Sequence, residues 1–181
     1  MTATLLTAQD ASWNVERGAF NILVDQQPAG IALPRSADDV SAVVRAAAAD
    51  GKRVAAQRTG HNAEPLGSLA NTVLLRTDGL GGAEIDADAG TARVGAGVLW
   101  GELLPRTSEL GLATLHGSAP NVGIVGYTLG GGVGFYHRKH GLACNRVTAI
   151  ELVTAGGEQI RVDAENEPDL FWALRGGGGS F

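Results

Sequence analysis

The sequence lacks any concentrated positive charge. Its 181 residues carry 14 Lys and Arg against 19 Asp and Glu, a net charge of -5, and no basic run exceeds pairs such as Arg138-Lys139. A polyphosphate strand is held by a patch or stripe of Lys and Arg, so nucleic acid is excluded as a partner. No apolar run reaches the 18 residues of a membrane span, which excludes a membrane as well. The opening residues Met1 to Ala11 have neither a basic stretch nor an apolar segment of export length, so a soluble, cytoplasmic protein is expected. With one cysteine, Cys144, there is no internal disulfide, and no set of ligands completes a zinc or other metal site. Cys144 reads as a small buried hydrophobe.

What the chain has in excess is glycine, 27 residues, about twice the usual share of ~7%. The rest of the composition, 44% hydrophobic and 18% charged, is that of a globular chain. Ile31 to Pro34 reads as a short edge strand, because Pro34 cannot donate to a ladder. Ser36 is placed to cap a helix whose first turn holds Asp38 and Asp39, and Val40, Val43, Val44 and Ala47 give that helix one apolar face as far as Gly51. Lys52 to Arg58 is the next strand, completing a β-α-β unit. Strands follow at Thr72–Arg76, Ala83–Asp86 and Thr91–Gly97, then a helix over Leu99–Leu110. Val147–Thr154 and Gln159–Val162 read as a hairpin across Ala155 to Gly157, and Glu167–Arg175 as a short helix with Pro168 in its first turn. Trp100 and Trp172 lie in apolar stripes and are expected in the core. The class is α+β: a lead-in over residues 1–28, then a domain over 29–181 made of a first subdomain, 29–77, and a second, 78–181.

The glycines cluster. In Arg58-Thr-Gly-His-Asn-Ala63, a glycine among polar residues lets successive amides turn toward one anion, with Arg58, Thr59 and Asn62 as further donors; the alternative is an ordinary surface turn. Gly117 to Gly134 holds seven glycines in eighteen residues, interleaved with apolar residues rather than Ser or Pro, so it is no flexible linker. It describes a wall for a flat ligand, or else tight helix packing. A dinucleotide-binding G-x-G-x-x-G is absent: Gly95-Ala-Gly97 follows a strand but continues Val98-Leu-Trp100.

Six motifs in order then carry a resemblance. Pro34-Arg-Ser-Ala-Asp-Asp-Val-Ser-Ala-Val-Val44, the Arg58–Asn62 loop, Gly97-Val-Leu-Trp-Gly-Glu-Leu103, Tyr127-Thr-Leu-Gly-Gly-Gly132, His140-Gly-Leu-Ala-Cys-Asn145 and Asp169-Leu-Phe-Trp-Ala-Leu-Arg-Gly-Gly-Gly-Gly179 occur as in FAD-linked oxidases of the vanillyl-alcohol oxidase and berberine-bridge superfamily. From about residue 20 onward the chain resembles their PCMH-type FAD-binding domain, two small α+β subdomains that wrap FAD, here incomplete at the C-terminus and without a substrate domain.

The resemblance implies that Arg58, Thr59, Gly60, His61, Asn62 and Ala63 hold the pyrophosphate, with Thr59 standing where such loops often carry a first glycine. His61 matches the histidine that many members join covalently to the flavin 8α-methyl group; the simpler role is a hydrogen bond. Gly117, Ser118, Val122, Gly123, Gly126, Tyr127, Gly130, Gly131, Gly132, Gly141 and Asn145 are implied to lie along the cofactor. Val122 falls where oxygen access is controlled. A second tether from cysteine is ruled out, since Gly117-Ser-Ala-Pro120 has Ala119 at that place.

The expected activity is an FAD-dependent oxidase: hydride removal from an alcohol- or amine-type small molecule, with O2 as acceptor. Alternatives are a dehydrogenase using another acceptor and a non-catalytic flavin-binding module. The general base is expected beyond Phe181, so the fragment alone should be inactive. His116, His137 and His140 receive no role in the chemistry, the last two forming a solvated basic turn.

Overall fold

The computed structural model describes residues 3–178. The end of the expected loop after Arg175, residues 179–181, lies outside them. The chain divides into two compact units: one runs to Leu80 and takes in Val153–Ile160, the other covers Gly81–Leu152 and resumes at Arg161.

The first unit is built on a four-stranded sheet in the order β1-β2-β4-β3, from β1 (Thr4–Leu6), β2 (Gly30–Leu33), β3 (Arg53–Gln57) and β4 (Thr72–Arg76). Strand β4 runs parallel to both β2 and β3, while β1 pairs antiparallel to β2, Thr4 opposite Leu33 and Leu6 opposite Ile31. Strand β2 is therefore interior and not the edge that Pro34 suggested; it ends at Leu33, so the proline takes no place in the ladder. Residues of the expected lead-in belong to the sheet, which is why this unit starts well before residue 29.

Alternation along the central strands sends side chains to both faces. Ile31 and Leu74 join Leu6, Trp13 and Leu69 on one side, Trp13 coming from the single-turn helix α1 (Trp13–Glu16). Ala32 and Val73 meet Ala47 of helix α2 (Ala37–Ala49), with Val43 and Val54 packed alongside. Central parallel strands covered on both faces account for the unbroken apolar run of β4. Ser36 caps α2 by accepting from the Asp39 amide at 3.2 Å, and the Asp39 carboxylate accepts from the amide of Arg35, the residue before the cap, at 3.0 Å.

The second unit opens with the antiparallel pair β5 (Ala83–Asp86) and β6 (Thr91–Val94). Helix α3 (Trp100–Glu109) follows, and its buried Trp100 and Leu103 form a core with Val98 and Ile124. After the glycine-rich stretch come α4 (Ile124–Leu129), the single exposed turn α5 (His137–His140), a 3₁₀ turn over Ala143–Arg146 and α6 (Pro168–Leu174). Strands β7 (Ala149–Val153) and β8 (Gln159–Asp163) form the expected hairpin, closed by Gly157 at φ +80°. The hairpin tip belongs to the first unit, where the Arg45 guanidinium donates to the Gly157 carbonyl at 2.7 Å.

Trp172 overturns its expected burial. It is 73% exposed, because α6 turns Phe171 and Leu174 inward at i and i+3, which leaves the residue between them facing out. Trp100 is buried as expected, and so is Cys144. Among the described residues no helix is long and apolar enough to cross a membrane, and no cluster of three His, Cys, Asp or Glu is placed to hold a metal.

Candidate functional site

Strand β3 delivers the chain into the Arg58–Ala63 turn. Gly60 sits at φ +75°, and a Cβ there would lie 2.8 Å from the Ala19 Cβ and 3.0 Å from the Gln57 amide carbon, so both backbone and space demand glycine. Ala19 belongs to a strap, residues 18–26, that sequence reasoning missed. The Phe20 amide donates to the Thr59 carbonyl at 2.7 Å. Gln26 and Gln57 exchange buried amide hydrogen bonds at 2.9 and 3.0 Å, and Gln57 also donates to the Gly18 carbonyl at 3.2 Å. Arg76 donates to that same carbonyl at 3.0 Å. A buried, mutually satisfied amide pair is a specific fastener, since either partner alone would be left unpaired.

The strap also covers His61. The Phe20 ring lies on the imidazole with centroids 3.8 Å apart and planes 10° from parallel. His61 Nδ1 is 2.7 Å from the Thr59 hydroxyl, whereas Nε2 is buried with no hydrogen-bond partner among the described residues. Burial lowers the His61 pKa, so the ring is held in its neutral form. The backbone amides of Gly60, His61, Asn62 and Ala63 donate to no acceptor among the described residues, which fits a turn built for an anionic ligand. Arg58, expected as a further donor, has its guanidinium 2.5 Å from the Asp78 carboxylate, which Arg76 also holds at 3.1 Å. Asn62 is exposed and Ala63 buried.

In the second unit, residues 98–101 pin the start of the glycine-rich stretch. The Ile124 amide donates to the Val98 carbonyl at 3.0 Å, Trp100 to Val122 at 3.1 Å and Gly101 to Pro120 at 2.8 Å. Helix α4 then runs between Gly123 and Gly130, its Tyr127 ring edge-on to Trp100 with centroids 5.5 Å apart. Much of the missing side-chain volume is filled by the protein itself. A Cβ on Gly117 would come within 3.0 Å of the Tyr127 ring, one on Gly132 within 2.7 Å of that ring and 2.6 Å of the Ala143 Cβ, and one on Gly134 within 2.0 Å of the His116 carbonyl oxygen. Gly131 and Gly132 also adopt φ +103° and +73°, and their carbonyls accept from Cys144 and Ala143 at 3.0 and 2.9 Å.

Gly126 is different. It is exposed, sits inside α4 with ordinary helical backbone, and a Cβ there would meet nothing within 4 Å. Nothing in the fold accounts for glycine in a helix interior, where it costs about 1 kcal/mol relative to alanine. Gly130, Ser118 and Asn145 are exposed too, Asn145 lying 3.0 Å from where a Gly141 Cβ would be. Val122 is half-buried against the Val98, Trp100, Leu103 and Ile124 core. The Tyr127 hydroxyl and Trp100 Nε1 are buried without partners among the described residues, and burial raises the Tyr127 pKa, keeping the phenol protonated. His116, whose Nδ1 is 2.6 Å from the Gly117 carbonyl, is ringed edge-on by Trp100, Phe135 and Tyr136.

The first unit thus carries a turn whose Gly60 to Ala63 amides have no acceptor among the described residues, and the second a helix with an unfilled glycine position. A family model described as an FAD binding domain matches residues 28–163. The chain belongs to this family. It is 37% identical over 156 residues to (R)-6-hydroxynicotine oxidase of Paenarthrobacter nicotinovorans, covering 86% of this chain and 34% of the relative. The solved structure of 6-hydroxy-D-nicotine oxidase from Arthrobacter nicotinovorans matches with a TM-score of 0.90 at 33% identity, over 96% of this chain and 38% of that one. That of glucooligosaccharide oxidase from Acremonium strictum, described as carrying 6-S-cysteinyl, 8α-N1-histidyl FAD, matches with a TM-score of 0.88 at 33% identity, over 99% and 38%. The chain thus spans about a third of the length of the curated relative, and its relatives are FAD-linked oxidases of the vanillyl-alcohol oxidase and berberine-bridge type. The fold is that of a PCMH-type FAD-binding domain.

Proposed function

We propose that this FAD-binding domain serves an oxidase that removes hydride from an alcohol- or amine-type small molecule and passes the electrons to O2, with the flavin attached through His61. The oxidase activity of the relatives supports the reaction class, and the 8α-N1-histidyl FAD of glucooligosaccharide oxidase supports the attachment. The carrying observation is His61 itself: a neutral imidazole inside an unbonded-amide turn, with one nitrogen held and the other buried and unpartnered. Orphaned buried polar atoms are rare unless a partner is missing, so these residues fit the cofactor.

In this reading the amides of Gly60 to Ala63 bind the pyrophosphate, with Thr59 and Asn62 beside them and Arg58 shared with Asp78. Gly126 and Gly130 give the cofactor a bare stretch of main chain, flanked by Gly117, Ser118, Gly123, Tyr127, Gly141 and Asn145. Gly131 and Gly132 shape that stretch through their positive φ rather than through empty volume. Val122, small and packed on the unit's core, leaves room for oxygen. Bound FAD supplies the hydride acceptor, and the protein's part is to hold and orient it. No residue of this chain is assigned as the general base. A cytoplasmic setting goes with the single buried cysteine.

The test is acid precipitation of the full-length protein: yellow colour retained in the pellet, and lost in His61→Gln, is the expected result, whereas a colourless wild-type pellet contradicts the histidyl link. Rapid reoxidation of the substrate-reduced protein by dissolved O2 is expected for an oxidase; reduced flavin that persists in air contradicts it.

A further inference from the structure

One aromatic ring is kept where no core uses it. Among the described residues Phe20 joins none of the hydrophobic clusters and stays 56% exposed, yet its ring lies flat on His61 with centroids 3.8 Å apart and planes 10° from parallel. We infer that Phe20 is a positioning residue for His61: its ring fixes the plane of the imidazole, and with it the direction from which a ring nitrogen meets the flavin. This rests on the histidyl-link reading above.

A ring nitrogen bonds to carbon through a lone pair that lies in the imidazole plane, so the flavin methyl carbon has to be met within that plane. The χ2 torsion of histidine has broad wells, and left alone the plane would rock. A parallel ring 3.8 Å away opposes the rocking, because tilting either plane loses stacked contact. The constraint acts on the plane and is the same for both nitrogens. Phe20 is itself held on either side. Its amide donates to the Thr59 carbonyl at 2.7 Å, two residues before His61. Ala19 sits so close to the turn that a Cβ on Gly60 would fall 2.8 Å from its own Cβ. The Gly18 carbonyl accepts from Gln57 at 3.2 Å and from Arg76 at 3.0 Å, and Gln26 is bonded to Gln57 through both its amide nitrogen and its amide oxygen. The stacked ring therefore stands on a fastened backbone, so the orientation of His61 is set before the reacting atoms meet. The link replaces one hydrogen of the flavin methyl group by nitrogen and releases the imidazole proton; the two electrons and two protons removed leave on O2 as hydrogen peroxide.

Phe20→Leu keeps an apolar side chain without the flat ring, Phe20→Tyr keeps the ring, and Phe20→Met is a second deletion of the ring should Phe20→Leu not fold. In the full-length protein labelled at histidine and prepared free of flavin, the His61 ring protons are identified by their loss in His61→Gln. They are expected upfield beneath the Phe20 ring, unchanged in Phe20→Tyr and moved downfield in Phe20→Leu. On addition of FAD, yellow colour should enter the acid pellet at the wild-type rate in Phe20→Tyr and roughly two- to tenfold more slowly in Phe20→Leu, the scale of one aromatic pair. Affinity for FAD, measured in the His61→Gln background where no link forms, should be unchanged by Phe20→Leu, since the ring acts through His61. His61 protons that stay in place in Phe20→Leu, a pellet of that variant that colours at the wild-type rate, or an affinity that falls in step with the rate overturns the inference, while a coloured wild-type pellet still supports the link. A wild-type pellet that never colours overturns the link and the positioning role together.

Discussion

The turn at Arg58–Ala63 and the stretch at Gly117–Gly134 both drew attention for glycine, yet they use it in opposite ways. The turn has a single glycine and depends on its neighbours: a strap carrying Phe20 and Gln26 is bonded to it and to the residue before it, and the amides of Gly60 to Ala63 find no acceptor among the described residues. The stretch has seven glycines and spends several on itself, since Tyr127, Ala143 and the His116 carbonyl occupy the space that side chains at 117, 132 and 134 would take. Glycine count is therefore a poor measure of ligand surface. What marks a position for a ligand is missing side-chain volume that no part of the fold fills, and by that criterion Gly126 stands apart from Gly132.

The sharpest way to break this contrast is Gly132→Ala. It forces a Cβ into Tyr127 and Ala143 at φ +73°, and is expected to destabilise the protein by roughly 2–4 kcal/mol, read as a lowered midpoint of thermal or urea unfolding. An unchanged midpoint would mean that the glycine is not needed for packing. Next is Gln57→Ala, which leaves the buried Gln26 amide without its partner; a loss of about 1–3 kcal/mol is expected by the same measurement. Phe20→Ala removes the ring from His61 and should cost about 0.5–1.5 kcal/mol, with faster exchange of the amides in the turn. The smallest effect is acid-side. The unfolded His61 titrates near 6.5 and the buried one lower, so below that pH the unfolded chain binds more protons and stability falls as pH falls. His61→Gln should flatten the unfolding midpoint across that range, and a wild-type profile identical to the variant's would contradict the burial argument.

Most of the regular structure was legible because it obeys local rules. Ser36 with Asp39 marks a helix start, Val40, Val43, Val44 and Ala47 mark its face, and Ala155 to Gly157 mark a turn between two strands. The strand Thr4–Leu6 was not legible: three residues are too few for alternation, and only its pairing with β2 makes it a strand. That pairing also moved β2 from the edge to the interior. The strap was missed because Gly18, Phe20 and Gln26 have no periodicity, and their meaning lies in contacts with Gln57, Thr59 and His61 some 30 to 40 residues away. The Arg58–Ala63 turn was found from residue types, but the Asp78 partner of Arg58 and the Thr59 contact with His61 needed coordinates. In the glycine stretch, sequence could not separate volume emptied for a cofactor from volume emptied for Tyr127.

The most direct test is the flavin content of purified full-length Gly126→Ala beside the wild type, with the unfolding midpoint of each measured in flavin-free form. Alanine fits the helix and the open space, so the flavin-free variant should be as stable or up to about 1 kcal/mol more stable, while retaining less than roughly a tenth of the flavin. A variant that carries a full complement of flavin would contradict the claim that the cofactor lies against the bare main chain of α4.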